Sequence, residues 1–142
     1  MTRPARPEDI DEICGSLPET ELGTSWGDVP TWKVPPGDKG KGFVLYRRPH
    51  STAIDPETGE MYDDLVVIIT PTEAEKTALV EDDSTPFFTT PHFKGHPSVL
   101  LRGSRIGELT ADELAEVVYD AWLARAGKRA RAKWLAERGL DG

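Results

Sequence analysis

His92 and His96 stand four residues apart, the spacing that on a helix would aim two imidazoles at one metal ion. Pro91, Gly95 and Pro97 argue against a helix there, Cys14 is the only cysteine, and the third histidine, His50, falls in a different loop. A closed zinc site would need carboxylates that no spacing identifies. No metal and no cofactor are therefore expected; His92 should pack and hydrogen-bond within its loop, with His96 partly exposed before Pro97. Aromatic residues form a second constellation. Trp26, Trp32 and Phe93, taken with Lys33, Lys94 and Arg102, have the composition of a cleft that stacks a base or grips a peptide. Trp26 sits in the turn-like Thr24-Ser25-Trp26-Gly27, where it is either a structural plug or a ligand-facing ring. A third group is basic: Arg125, Lys128, Arg129, Arg131, Lys133 and Arg138 are opposed over residues 125–138 by Glu137 alone. Such a run neutralises phosphates, or it is a solvated helix whose cations favour an acidic body and the negative end of the preceding helix.

Catalytic patterns are absent from the sequence. It has no glycine-rich phosphate loop, no G-x-S-x-G elbow, and no histidine and acid placed near a nucleophile. Its carboxylates occupy predicted helix starts and loops, where capping and solubility account for them. No catalytic residue is assigned and no enzymatic role is expected.

These groups must be positioned by a small set of elements. Ile10, Ile13, Cys14 and Leu17 recur at helical spacing and predict a helix from Glu8 to Leu17, closed by Pro18, with Cys14 a small buried hydrophobe. Thr31–Val34 and Gly42–Arg47 read as a hairpin. Pro49 to Asp64 has no apolar periodicity and is expected to be an exposed loop. The unbroken run Leu65-Val66-Val67-Ile68-Ile69 predicts a strand covered on both faces. Thr70-Pro71-Thr72-Glu73 predicts a helix start capped by Thr70 and running to about Val80. Phe87–Thr90 and Ser98–Arg102 are strand candidates. Thr110 with Glu113 predicts a capping box, opening a helix whose apolar stripe holds Leu114, Val117, Val118, Ala121 and Trp122. Gly127 ends it, and a shorter basic helix follows over 128–138. The order is thus α, three strands, α, two strands, α and a basic tail helix.

The chain has 142 residues, 37% hydrophobic and 30% charged, which suits one domain (1–142) with its core over about 8–126. Seventeen basic residues against 25 acidic ones give a net charge of −8. Removing the six cations and one acid of the basic segment leaves a body at −13, which repels a duplex from most of the surface. One cysteine excludes an internal disulfide, no apolar run is long enough to cross a bilayer, and the first residues carry no signal-peptide pattern. A cytoplasmic protein with no membrane partner is expected.

Several local words occur in a familiar order: Leu17-Pro18, Thr24-Ser25-Trp26-Gly27, Trp32-Lys33-Val34, Phe87-Phe88-Thr89-Thr90-Pro91-His92-Phe93, His96-Pro97-Ser98-Val99-Leu100, Ala121-Trp122 and Lys128-Arg129. Over about residues 8–130 the chain resembles the MmcQ/YjbR family of small bacterial proteins, often labelled DNA-binding. The resemblance implies an α+β fold of order α-β(3)-α-β(2)-α, with helices packed on a twisted antiparallel sheet, like that of type III secretion chaperones. Pro35–Gly42 is expanded relative to the common pattern, and Asp55–Asp64 reads as an insertion. Two functions follow as expectations. One is DNA binding through the basic segment, with Lys128, Arg129 and Arg131 as contacts. The other is a protein or peptide interaction module using an aromatic groove around Trp26, Trp32 and His92. Lys33, Lys94, His96 and Arg102 are candidate contacts in either.

Overall fold

The computed structural model describes residues 3–25, 29–37, 40–46, 54–62, 64–90, 93 and 95–137. Trp26, His92 and Lys94 lie outside them. Helix α1 (Pro7–Ser16) begins with proline in its first turn, where the missing N–H has no partner to lose. The Asp9 carboxylate accepts from the Arg6 amide at 2.7 Å and so satisfies one of the free donors at the helix start. Ile10 and Cys14 are buried along the stripe that the 3.6-residue period predicts.

Five strands follow in an all-antiparallel sheet of order β1-β2-β3-β4-β5. They are β1 (Glu21–Ser25), β2 (Val29–Val34), β3 (Lys41–Tyr46), β4 (Leu65–Ile69) and β5 (Ser98–Arg102). The sheet is antiparallel and the class α+β, as expected, but the strands divide four and one about the second helix. Glu21–Ser25 adds a strand that weak alternation hid: Leu22 is 49% exposed, so the strand shows no buried-face pattern. Phe87–Thr90 contributes a single bridge, Phe88 to Leu100, with bonds of 3.0 and 2.8 Å. Pro86 offers no amide before it, and the Thr90 carbonyl turns to the Phe93 amide at 2.9 Å, so the ladder stops after one pair. The β2–β3 register shifts between Trp32 and Lys33. Gly42 lies beside this irregularity, where a Cβ would stand 2.8 Å from the Thr31 methyl.

Helix α2 (Glu73–Glu81) is capped by Thr72, whose hydroxyl accepts from the Glu75 amide at 3.2 Å, and not by Thr70. Thr70 is buried and continues the sheet, its amide bonded to the Pro97 carbonyl at 2.8 Å, so the helix starts one cap later than the local sequence suggests. After a 3-10 turn (Gly103–Glu108), α3 (Ala111–Arg125) opens with the predicted capping box: the Thr110 amide donates to Glu113 at 2.9 Å and the Glu113 amide to Thr110 at 3.1 Å. Gly127 separates it from α4 (Lys128–Glu137).

The sheet is buried on both faces. On one, Val44, Val66, Ile68, Val99 and Leu101 pack with α1 and α3, and α4 joins through Ala130 and Trp134. On the other, Val29, Leu45, Leu65, Val67 and Leu100 are covered by Phe93, with Tyr62 and Phe88 at the margin. This two-sided burial explains why all five residues of β4 are apolar. Among the described residues no helix is long and apolar enough to cross a membrane.

Candidate binding cleft

At the end of β5 the chain leaves the sheet, and Arg102 carries its side chain out over the second face. Its Nε donates to Asp64 at 3.0 Å, its Nη1 to Asp55 at 3.3 Å, and its guanidinium carbon lies 4.7 Å from the centre of the Tyr62 ring. Phe88 stands next to Tyr62, with ring centroids 5.5 Å apart at a tilt of 56°. Asp55, Tyr62, Phe88 and Arg102, together with Pro56, Glu57 and Arg105, line a cleft of about 480 Å³, a volume suited to a small ligand or a few residues of peptide.

The cleft is held from behind. Asp64 accepts from the Ser104 amide at 2.9 Å, and its own carbonyl accepts from the Gly103 amide at 2.8 Å. Partial burial opposes its charge, but the Ser104 amide and the Arg102 guanidinium outweigh that and hold its carboxyl below the ordinary value. The segment carrying Asp55 and Tyr62 is a tight turn. The Asp55 amide bonds the Glu60 carbonyl at 2.9 Å, the Gly59 amide bonds the Asp55 carbonyl at 2.8 Å, and Gly59 takes the positive φ of 76° that closes it. The described part of the loop is mostly exposed, as expected, and its turn forms one wall of the cleft.

The other candidate residues lie elsewhere. Trp32 is on β2, three strands from Arg102, and faces α1: its indole N–H donates to Asp11 at 2.8 Å and its ring packs on Gly15. Tyr46 donates to the same Asp11 oxygen at 2.6 Å, so Asp11 ties two strands to the helix. Lys33 lays its stem across Gly23. His96 sits beyond the opposite end of β5, with Nδ1 2.9 Å from the Ser98 hydroxyl and its ring edge-on to Phe93. Desolvation first, then the charges of Lys76 and Arg125, push its imidazole below the ordinary value, so it is neutral near pH 7. Ser98 is fully buried, whereas His96 is exposed. Among the described residues no three His, Cys, Asp or Glu side chains converge as metal ligands. The structure thus brings Trp32, His96 and Arg102 to three separate places.

Helix α4 presents Lys128, Arg129, Arg131 and Lys133 outward, because Ala130 and Trp134 face the core. Trp134 packs 5.7 Å from Trp122 and 5.3 Å from Tyr119, which fixes the helix to the body. Arg131 donates to the Leu123 carbonyl in the last turn of α3 at 3.2 Å, the helix-end contact expected of a cation there.

Tyr62, Asp64, Phe88 and Arg105 were not signalled by the sequence. Arg102 was, but its carboxylate partners lie 38 and 47 residues earlier, beyond any local pattern.

Uncharacterized proteins of Mycobacterium bovis and of two strains of Mycobacterium tuberculosis are each 30% identical to the chain over 141 residues, covering 93% of it and 97% of the relative. No solved structure gives a significant match. The YjbR family model matches residues 15–124, from the end of α1 through most of α3 and so across the whole sheet, and the chain belongs to the YjbR family.

Proposed function

We propose that this YjbR family protein is a non-enzymatic interaction module that receives a peptide segment of a protein partner in the cleft between Tyr62, Phe88 and Arg102. The observation that carries the reading is the guanidinium held over Tyr62 by two carboxylates, beside a second aromatic ring. Two adjacent rings supply a rigid apolar floor for an anchoring side chain, and Asp55, Glu57, Arg102 and Arg105 line a polar rim that meets the backbone of the peptide. Four arginines outside α4 also favour this reading over phosphate binding. Arg3, Arg6, Arg102 and Arg105 each lie within 3.6 Å of a carboxylate, so their charges are already answered. The test is a peptide-library selection against the whole chain, repeated with Phe88→Ala. The reading expects peptides that lose about tenfold or more in affinity with the variant and keep it between about 50 and 200 mM salt. Peptides indifferent to Phe88 would refute it.

One observation favours a second reading, DNA binding through α4. Its four outward cations have no carboxylate partner among the described residues. A helix of this length offers a basic face about 15 Å long, enough for a few phosphates. Steep salt dependence of duplex binding, insensitive to Phe88→Ala, would support it over the cleft.

A further inference from the structure

A smaller hollow lies on the other side of the molecule, where α2 crosses the end of β4 and meets α3. It encloses about 210 Å³. Ile69 closes it from β4; Glu75, Ala78 and Leu79 face it from α2 at i, i+3 and i+4; Val117 and Asp120 face it from α3 at i and i+3. The walls are apolar and the mouth carries two carboxylates. We infer that this hollow binds a small organic ammonium ion, an arylalkyl- or alkylamine whose apolar body enters between Ile69, Leu79 and Val117 while its charged head meets Glu75 and Asp120.

Size and charge both select this class. An apolar cavity of about 150 Å³ accommodates benzene, so one somewhat larger takes a ring with a short tail. The hollow is too small to seat a folded partner, whose interface would bury on the order of 1,000 Å² or more. Neither Glu75 nor Asp120 has a cationic partner among the described residues, and the nearest lysine on α2, Lys76, turns away to bond the Phe93 and His96 carbonyls. Among the described residues, the charges that act on Asp120 are those of Glu75 from α2 and Glu116 from its own helix. Desolvation first, then these two charges, raise the Asp120 carboxyl above its ordinary value, and an ammonium ion at the mouth relieves that repulsion. An amine therefore gains both burial of its hydrocarbon and a charge-assisted hydrogen bond, whereas a neutral isostere gains only the first.

The test is titration of the full chain with phenethylammonium near pH 7 at low ionic strength, read by backbone amide chemical shifts, with 2-phenylethanol as the neutral probe. The expected result is saturable binding with the largest shifts at Ile69, Ala78, Leu79, Val117 and Asp120, and binding about tenfold or more weaker for the alcohol. Asp120→Asn should weaken the amine by about tenfold, and Ala78→Phe, which fills the hollow from a solvent-facing helix position, should abolish it. Affinity should also fall as the pH drops through the raised titration of Asp120, because the neutral acid no longer attracts the cation. Equal binding of amine and alcohol, shifts centred elsewhere, an unchanged affinity for Asp120→Asn, or no saturation with either probe would each overturn the assignment. None of these outcomes touches Tyr62, Phe88 or Arg102, so the hollow and the cleft stand or fall separately.

Discussion

The Nζ of Lys76 donates to the Phe93 carbonyl oxygen at 2.6 Å, tying the first turns of α2 to the loop that covers the second face of the sheet. The same ammonium donates to the His96 carbonyl at 2.7 Å, and the residue is only 5% exposed. A lysine so buried is held by backbone dipoles in place of a carboxylate. Its position makes α2, on the edge beside β5, the clamp that keeps Phe93 on the sheet.

Replacing Lys76 by methionine keeps most of the apolar stem and leaves both carbonyls without their donor. Each unsatisfied carbonyl opposes folding, while removal of a buried charge partly offsets them, so a net destabilisation of about 2 kcal/mol is expected in urea unfolding. Hydrogen exchange should localise the effect. The amides of Phe93 and His96, which bond Thr90 and Phe93, should lose protection before those of β4.

Asp9 supplies the clearest pH dependence. Its carboxylate takes two bonds from Arg3, at 2.7 and 2.6 Å, and one from the Arg6 amide at 2.7 Å. The Arg3 hydrogen bonds, with the Arg6 amide, overcome burial and hold the carboxyl far below its ordinary value of 3.8. A carboxyl depressed by folding stabilises the protein at neutral pH, and that contribution is lost as pH falls below the unfolded value toward the folded one. Asp9→Asn should therefore cost about 2 kcal/mol at pH 7. The gap between variant and parent should narrow below about pH 4 in a urea series taken at stepped pH. A gap that persists unchanged to low pH would show that the ion pair is not its source.

Cys14 and Tyr46 both lie near Asp11 and respond to alkali in the same sense. Burial first, then the Asp11 charge, pushes the Cys14 thiol well above its ordinary value; burial, then the Asp11 hydrogen bond, does the same for the Tyr46 phenol. Both groups are therefore neutral in the fold, and the stability they contribute is complete below their unfolded values and is lost as pH rises past them. At pH 8 a thiol reagent should label Cys14 only as fast as the molecule opens, with a rate that climbs with urea in step with unfolding. Rapid labelling in the absence of denaturant would mean that α1 lifts from the sheet on its own.

Much of this fold can be read locally. The stripe of α1, the Thr110–Glu113 box and the wholly apolar β4 each declare themselves within a few residues, because capping and periodic burial are short-range effects. What escapes local reading depends on partners distant in the chain. Thr70 has every feature of a cap until Pro97 claims its amide for the sheet. Leu22 sits in an edge strand whose apolar residue is exposed, so alternation gives no signal. Trp32 looks like a ligand-facing ring beside Lys33, and only the approach of α1 turns it into a prop bonded to Asp11. The cleft is the extreme case, since Tyr62, Asp64, Phe88 and Arg102 meet only once β4, β5 and the Asp55 turn are in register.

Trp134 decides whether the basic helix is a fixed surface or a loose tail. It is the largest apolar side chain of α4 and packs at a tilt against both Trp122 and Tyr119 of α3, so Trp134→Ala removes most of what seats the helix. Amides of 128–137 should then lose hydrogen-exchange protection while those of β4 and β5 keep it, at a cost of about 3 kcal/mol or less because the truncated site lies at the edge of the core. The same variant reports on DNA. If α4 grips a duplex as a rigid face, a short fluorescent duplex should bind the parent with a log–log salt slope of about −3 to −4, matching its four outward cations. It should bind Trp134→Ala more weakly, and the Arg129→Glu, Arg131→Glu double variant not at all. A flat salt response, or duplex binding that survives the double charge reversal, removes α4 as the anchor and leaves the Arg102 cleft as the proposed binding surface.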